Sequence, residues 1–276
     1  MLPNFLFIGP DKSGSTWLQA RLSTHPQVYL PAAKDTYFFD AQFDRGLAWY
    51  EAHFAAATPQ QVVVGEICHD YLFSVAAAGR IAEIIPSAKL MVCLREPVER
   101  AFSAYLNMLR NGWQLGSFAE AIESHPGIVD NSRYAKHLQA YFDRFPAEQI
   151  VITWFDDLAE DPQRFLDQVT DALGVDRQPL SEGEKAPARA AGQARAAWAA
   201  RTVKRGAIIA RQMGMTDLIG RIKSSDRVQR TLYRPLTGSP PALDEADTAQ
   251  VQALLEEDVR SLERLLGADL RARWGW

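Results

Sequence analysis

The stretch FLFIGPDKSGSTWL, residues 5–18, limits the folds open to this chain more than any other. An apolar run of strand length enters Gly9, a second glycine follows at Gly14, and Ser15-Thr16-Trp17-Leu18 opens a helical pattern. A buried strand passing through a glycine-bounded loop into a helix is the opening step of a parallel α/β sheet. In such sheets ligands bind beyond the carboxyl ends of the strands.

Three more runs read as buried strands: Val62 to Gly65, Leu90 to Leu94 and Ile150 to Trp154. Most lead into helical periodicity, as expected for a sheet covered on both faces. Pro97 is placed to start a helix that continues through Arg110, and Asp161-Pro162 to start another that ends at Gly174. Residues 184–234 turn to Ala and Arg with helical spacing, and a last helix repeats Val251, Leu254/Leu255, Val259, Leu262 and Leu265/Leu266 along one face. The expected fold is α/β: a P-loop-like parallel sheet flanked by helices, with a helical C-terminal region. It is expected as a single domain, with a nucleotide-binding core over 1–175 and a basic helical region plus C-terminal helix over 185–276 on the acceptor side.

The loop GPDKSGST keeps the glycine spacing of the ATP- and GTP-binding GxxxxGK[ST] loop, but Ser15 stands where the lysine belongs and the lysine is at Lys12. Backbone amides at Gly14, Ser15 and Thr16 still form an anion cradle at a helix N-terminus. Without a lysine at position 15 a triphosphate loses its main cationic clamp. The run Leu90–Leu94 ends on a cation, Arg95, where a metal-using site needs a carboxylate. Lys12 and Arg95 therefore point to an anion neutralised directly, with no metal.

That pairing carries a resemblance. FLFIGPDKSGSTWL is similar to the 5′-phosphosulfate loop of the PAPS-dependent sulfotransferases, and LMVCLREPVERAFSAY, residues 90–105, resembles their 3′-phosphate motif. PAPS is the donor 3′-phosphoadenosine 5′-phosphosulfate, and PAP is the bisphosphate left after transfer. DTYFFD (35–40), GEICHDYL (65–72), SRYAKHLQAYFDRFP (132–146) and WFDDLAEDP (154–162) extend the likeness, which points to the heparan-sulfate-type and bacterial carbohydrate branch. It covers about the first 175 residues and fades afterwards, apart from LLGADLRARW in the C-terminal helix.

The resemblance implies a donor site of Lys12, Ser13, Gly14, Ser15, Thr16 and Trp17 with Arg95, Ser103 and Tyr134. Lys12 would meet charge growing on the leaving phosphate. Arg100 would support the phosphate or pair with Glu96, and Arg133 would lie near the nucleotide. For the base that takes the acceptor's proton, Asp35 stands where the branch has a glutamate before an aromatic pair, one methylene shorter; Glu66 and His69 are the alternatives. Where the branch carries Lys-Thr-Pro, this chain has Ile67, Cys68 and His69. Their late Lys-Gly-Arg loop has only a compositional counterpart in Lys204-Arg205-Gly206.

Two cysteines, Cys68 and Cys93, give neither a disulfide framework nor metal spacing. The first apolar run is short and lacks a basic leader, and no apolar stretch approaches membrane-span length, so a cytoplasmic protein is expected; the resemblance implies a bacterial one. Net charge is −4, yet residues 185–235 hold twelve Lys/Arg against two Asp/Glu, a balance of +10 that leaves −14 on the remainder. The basic region reads as a solvated face or as a docking surface for an anionic acceptor or lipid headgroup. The expected partners are PAPS and a hydroxyl-bearing sugar, glycolipid or small metabolite, with no nucleic acid. The rival readings are a P-loop nucleotide kinase using Asp156 or Asp157 for magnesium, and a PAP-binding module that has lost transfer.

Overall fold

A computed structural model describes residues 1–32, 34–185 and 241–276, together with the backbone of 192–194 and 233–235. In chain order the regular elements are β1 (Phe5–Gly9), α1 (Ser15–Leu22), β2 (Val28–Tyr29), α2 (Leu47–Ala52), β3 (Val63–Ile67), α3 (Val75–Ile84), β4 (Lys89–Leu94), α4 (Pro97–Arg110), α5 (Phe118–Ser124), α6 (Gly127–Asp130), α7 (Tyr134–Phe142), β5 (Ile150–Trp154), α8 (Phe155–Glu160), α9 (Pro162–Leu173), α10 (Glu182–Lys185), β6 (Gly192–Ala194), β7 (Tyr233–Pro235), α11 (Glu245–Leu266) and α12 (Leu270–Trp274). They cluster into two compact units, 1–96 with 134–188, and 97–133 with 189–276. Residues 97–133, which the sequence groups with 1–175, thus cluster with the C-terminal part.

The first unit is built on a five-stranded sheet in the order β2-β3-β1-β4-β5, and each recorded pairing is parallel. Every residue of β1 is buried, which is why its sequence runs apolar without alternation. On one side Phe5, Phe7, Ile67, Met91 and Cys93 pack with Trp17, Leu18 and Leu22 of α1 and Phe165, Leu166 and Val169 of α9. Leu6, Ile8, Leu90 and Val92, on the alternate positions, are buried as well, so both faces are covered. The β1–β4 register slips between Phe7 and Gly9, where the strand leaves the sheet for the glycine loop.

Two departures from the sequence reading have physical causes. The run expected over Val62 to Gly65 forms a strand over Val63–Ile67, carrying Glu66 inside the sheet and not beyond its end. β2 is two residues long and offers no periodicity to read. By contrast α9 starts and stops as its punctuation dictates. The Asp161 side chain accepts from the amides of Gln163 and Arg164, Pro162 opens the first turn, and Gly174 closes the helix at φ 72°.

In the second unit Val98, Ala101 and Tyr105 of α4 pack with Phe118, Ala121 and Ile122 of α5, Ile128 and Val129 of α6, and Val251 and Leu255 of α11. α11 buries Val251, Leu255, Val259 and Leu262 at steps of three and four; Leu254 is turned to solvent. The helix expected over 184–234 falls, beyond Lys185, outside the described residues except for β6 and β7, which pair antiparallel. Lys204, Arg205 and Gly206 also lie outside the described residues. No described helix is long and apolar enough to cross a membrane.

Candidate active site

β1 ends on Gly9 at φ 139°, where a Cβ would meet the His69 carbonyl oxygen at 2.4 Å. Only glycine lets the chain turn here against β3's continuation. The loop returns through Lys12 at φ 67° and Gly14 at φ 86°, and a Cβ on Gly14 would sit 2.6 Å from Leu158 Cδ2. Ser13, buried, donates its hydroxyl to the Pro10 carbonyl at 2.6 Å and fastens the loop from within. The first i to i−4 bond of α1 runs from Leu18 N to Gly14 O, so the amides of Ser15, Thr16 and Trp17 precede the ladder and stand at the positive end of the helix. Trp17 contributes to this cradle only through its backbone: its indole meets Phe165 edge-on and donates to the Glu184 carbonyl at 2.9 Å.

Arg95 leaves the end of β4 toward the loop. Its Nη1 donates to the Lys12 carbonyl at 3.3 Å and its guanidinium lies 4.6 Å from the centre of the Phe155 ring. Tyr134, fully buried, donates its hydroxyl to the Arg95 carbonyl at 2.9 Å, so it holds the arginine's backbone. The sequence-derived Lys12, Arg95 and Tyr134 are thereby brought together. Ser103 lies half-buried on α4, in the second unit.

Arg100 is fully buried, and its described hydrogen bonds run to α6 and to Ser132 just beyond it. It donates from Nε to Ser132 Oγ at 2.8 Å and from Nη2 to the Ile128 carbonyl, while Ser132 Oγ donates to the Pro97 carbonyl at 2.9 Å. The arginine thus knits the start of α4 to α6. Arg133 lies 3.6 Å from Asp130.

The three acidic and basic candidates divide by environment. Glu66 is buried, and each oxygen is occupied: Oε1 accepts from Thr36 N at 2.9 Å and Thr36 Oγ1 at 2.6 Å, and Oε2 accepts from Tyr50 OH at 2.8 Å and Tyr71 OH at 3.2 Å. Burial pushes its carboxyl above the usual range, and the bonds from Thr36, Tyr50 and Tyr71 only partly offset that. This enclosure suits an anchor for the segment at 35–39 and not a base that must meet substrate. The aromatic pair completes the anchor, with Phe38 stacked on Tyr50 at 4.3 Å and Arg80 Nη1 donating to the Phe39 and Asp40 carbonyls.

Asp35 sits in the left-handed region at φ 63°, uncommon for a residue with a Cβ, with its amide donating to the Ile67 carbonyl at 2.8 Å. Its Oδ1 is 2.7 Å from His69 Nδ1 and its Oδ2 is 3.8 Å from Lys34 Nζ. His69 Nε2 in turn lies 3.3 Å from Asp70 Oδ1, and about a fifth of the histidine side chain (21%) is open to solvent. Burial draws the imidazole down, but Asp35 and Asp70 outweigh it and leave the ring above its ordinary value. Two of the three candidate bases therefore form one hydrogen-bonded pair.

Sequence reasoning passes over Lys34. Its Nζ donates to Ser15 Oγ at 3.0 Å, across nineteen positions of chain, beside Asp35. The available signal is its adjacency to Asp35. Cys68 and Cys93 are both free and buried, and burial lifts the Cys93 thiol to about 12.

The family model for the sulfotransferase domain matches residues 2–185. Human heparan sulfate glucosamine 3-O-sulfotransferase 3B1 is 32% identical over 185 residues, 64% of this chain and 47% of that protein. The membrane-associated sulfotransferase kil1 of Dictyostelium discoideum is 38% identical over 106 residues, 38% of this chain and 22% of that protein. The chain spans about half the length of the heparan sulfate relatives it matches. A solved sulfotransferase from Alicyclobacillus acidocaldarius has the same fold, with a TM-score of 0.72 at 23% identity over 100% of both chains. The matched span takes in the glycine loop, Arg95 and the Asp35–His69 pair, and the chain belongs to the sulfotransferase-domain family.

Proposed function

We propose that this chain moves the sulfuryl group of PAPS to an acceptor hydroxyl, with a carbohydrate as the acceptor class. The single observation that carries the reading is the loop between Gly9 and Gly14: it presents the first amides of α1 beside Lys12, and Arg95 is tied to the Lys12 carbonyl. Amides and fixed cations at one helix N-terminus suit a phosphosulfate. The carbohydrate class rests on the heparan sulfate relatives.

In the reaction the acceptor oxygen forms a bond to sulfur while the bond from sulfur to the 5′-phosphate oxygen breaks, and its electron pair leaves with PAP. The chain's share is to hold the two reactants in line and to meet the charge on the departing phosphate with Lys12 and the α1 amides. The acceptor's proton passes to the Asp35–His69 pair. Glu66 keeps the segment bearing Asp35 in place through Thr36. Arg95 is assigned to the nucleotide's 3′-phosphate, as the motif implies, and Tyr134 to holding Arg95.

The test is incubation with labelled PAPS and a lysate of the host, read by mass spectrometry for a sulfate-sized gain. Product should form with EDTA present, and Lys12→Ala and Asp35→Asn should abolish it. Arg95→Ala should mainly weaken nucleotide binding. Activity lost to EDTA, with ATP binding tighter than PAP, would establish a kinase instead; stabilisation by PAP without any product would establish a binding module.

A further inference from the structure

We propose that Lys34 is a donor-binding residue whose ammonium holds the oxygens of the sulfuryl group between the α1 cradle and Asp35. The proposal rests on the sulfuryl-transfer reading above and adds a residue that the loop motif does not contain. Lys34 Nζ stands 3.0 Å from Ser15 Oγ at the first residue of α1, and 3.8 Å from Asp35 Oδ2. It therefore links the place where the 5′-phosphate is expected to the place where the acceptor's proton is expected to go. Between those two places lies the group being transferred.

The local backbone explains how two neighbouring side chains reach one site. In an extended chain consecutive residues point to opposite sides. At Asp35 the left-handed φ of 63° breaks that alternation, and the bonds from Asp35 N to Ile67 O and from Thr36 to Glu66 fix the bend. A non-glycine residue held in this region is strained and persists only where its surroundings enforce it. Here the result of that strain is an ammonium and a carboxylate delivered together.

Electrostatics argue against a purely structural role. The N-terminus of a helix carries about half a positive charge, so an ammonium beside Ser15 is repelled by it. The pair with Asp35, at 3.8 Å longer than a hydrogen bond and with the carboxylate also engaged by His69, offsets only part of that. An ammonium carries three donors and the Ser15 hydroxyl takes one. An anion with several oxygens satisfies both the helix end and the lysine at once. Ser15 occupies the position at which a nucleotide triphosphate loop carries its own lysine, and Lys34 brings a cation to that same residue from outside the loop.

The experiment compares binding of PAPS and of PAP, which lacks the sulfuryl group, to the full-length protein and to Lys34→Met and Lys34→Arg by calorimetry. A charge-assisted hydrogen bond lost from the sulfuryl oxygens should weaken PAPS by roughly tenfold to a hundredfold in Lys34→Met and leave PAP within about threefold. Lys34→Arg should restore most of the PAPS affinity. Unchanged PAPS affinity in Lys34→Met, or equal weakening of PAPS and PAP including loss of both, overturns the proposal. PAP binding in the variant also reports that it is folded. If the unaltered protein binds neither nucleotide, the sulfuryl-transfer reading itself fails; if it binds both and Lys34→Met behaves alike, only the role of Lys34 fails.

Discussion

A carboxylate removed from water keeps its charge only where donors surround it, and Glu66 is ringed by Thr36, Tyr50 and Tyr71. Glu66→Ala would leave those buried donors without their acceptor and should cost about 3 kcal/mol or more, read as a lower midpoint in urea. Because burial raises its carboxyl, the folded state holds the proton more tightly than the unfolded chain does. The stability owed to this group therefore grows as pH falls through the raised value toward its ordinary one, and Glu66→Gln should flatten that part of the curve. The sign at His69 is set by its two carboxylate neighbours, Asp35 and Asp70, which overcome desolvation and raise the ring. Its stability contribution is complete below about pH 6.5 and is lost as pH rises through the folded value. A base must first be free of its proton, so transfer should accelerate as pH rises through the raised value of His69. His69→Asn should remove that ascending limb; a limb of unchanged shape in His69→Asn would take the histidine out of the proton path.

At the scale of elements, the glycine loop is the part most sensitive to a single added methyl group. Gly14→Ala must place a Cβ 2.6 Å from Leu158 at φ 86°, which should cost about 1–3 kcal/mol and abolish PAP binding, checked by thermal shift with and without PAP. In α11 the buried Leu255→Ala should cost about 2–5 kcal/mol, whereas Leu254→Ala on the exposed side should change little. Elements are legible in the sequence where local signals agree. Pro97 and Arg110 bound α4 as read, and Asp161, Pro162 and Gly174 mark α9 because capping chemistry is written in adjacent residues. β3 reads short because Gly65 and Glu66 interrupt its apolar run, and the donors that make that glutamate tolerable inside a sheet, Thr36, Tyr50 and Tyr71, all lie outside the strand. The candidate site divides the same way. Lys12, Gly14 and Arg95 can be placed from one loop and one strand end, while the contact of Lys34 with Ser15 depends on a left-handed turn that no local pattern announces. Trp17 matches the motif, yet its indole serves the core.

Over the whole molecule, charge is distributed unevenly, with +10 on residues 185–235 and −14 on the remainder. If that basic segment receives an anionic carbohydrate, the apparent KM for a sulfated oligosaccharide acceptor should rise steeply between about 50 and 200 mM salt, as the Debye length falls by about half. A neutral sugar acceptor should show little of this dependence. Equal salt sensitivity for both acceptors would remove the segment from acceptor recognition. The donor half stands apart from that question, since its cradle, Arg95 and the Asp35–His69 pair all lie in the first unit. The most direct measurement is therefore a calorimetric titration of the protein with PAP and, separately, with ATP and magnesium. The account predicts saturable PAP binding that survives EDTA, disappears in Lys12→Ala and exceeds the affinity for ATP; no PAP binding, or tighter binding of ATP that requires magnesium, would contradict it.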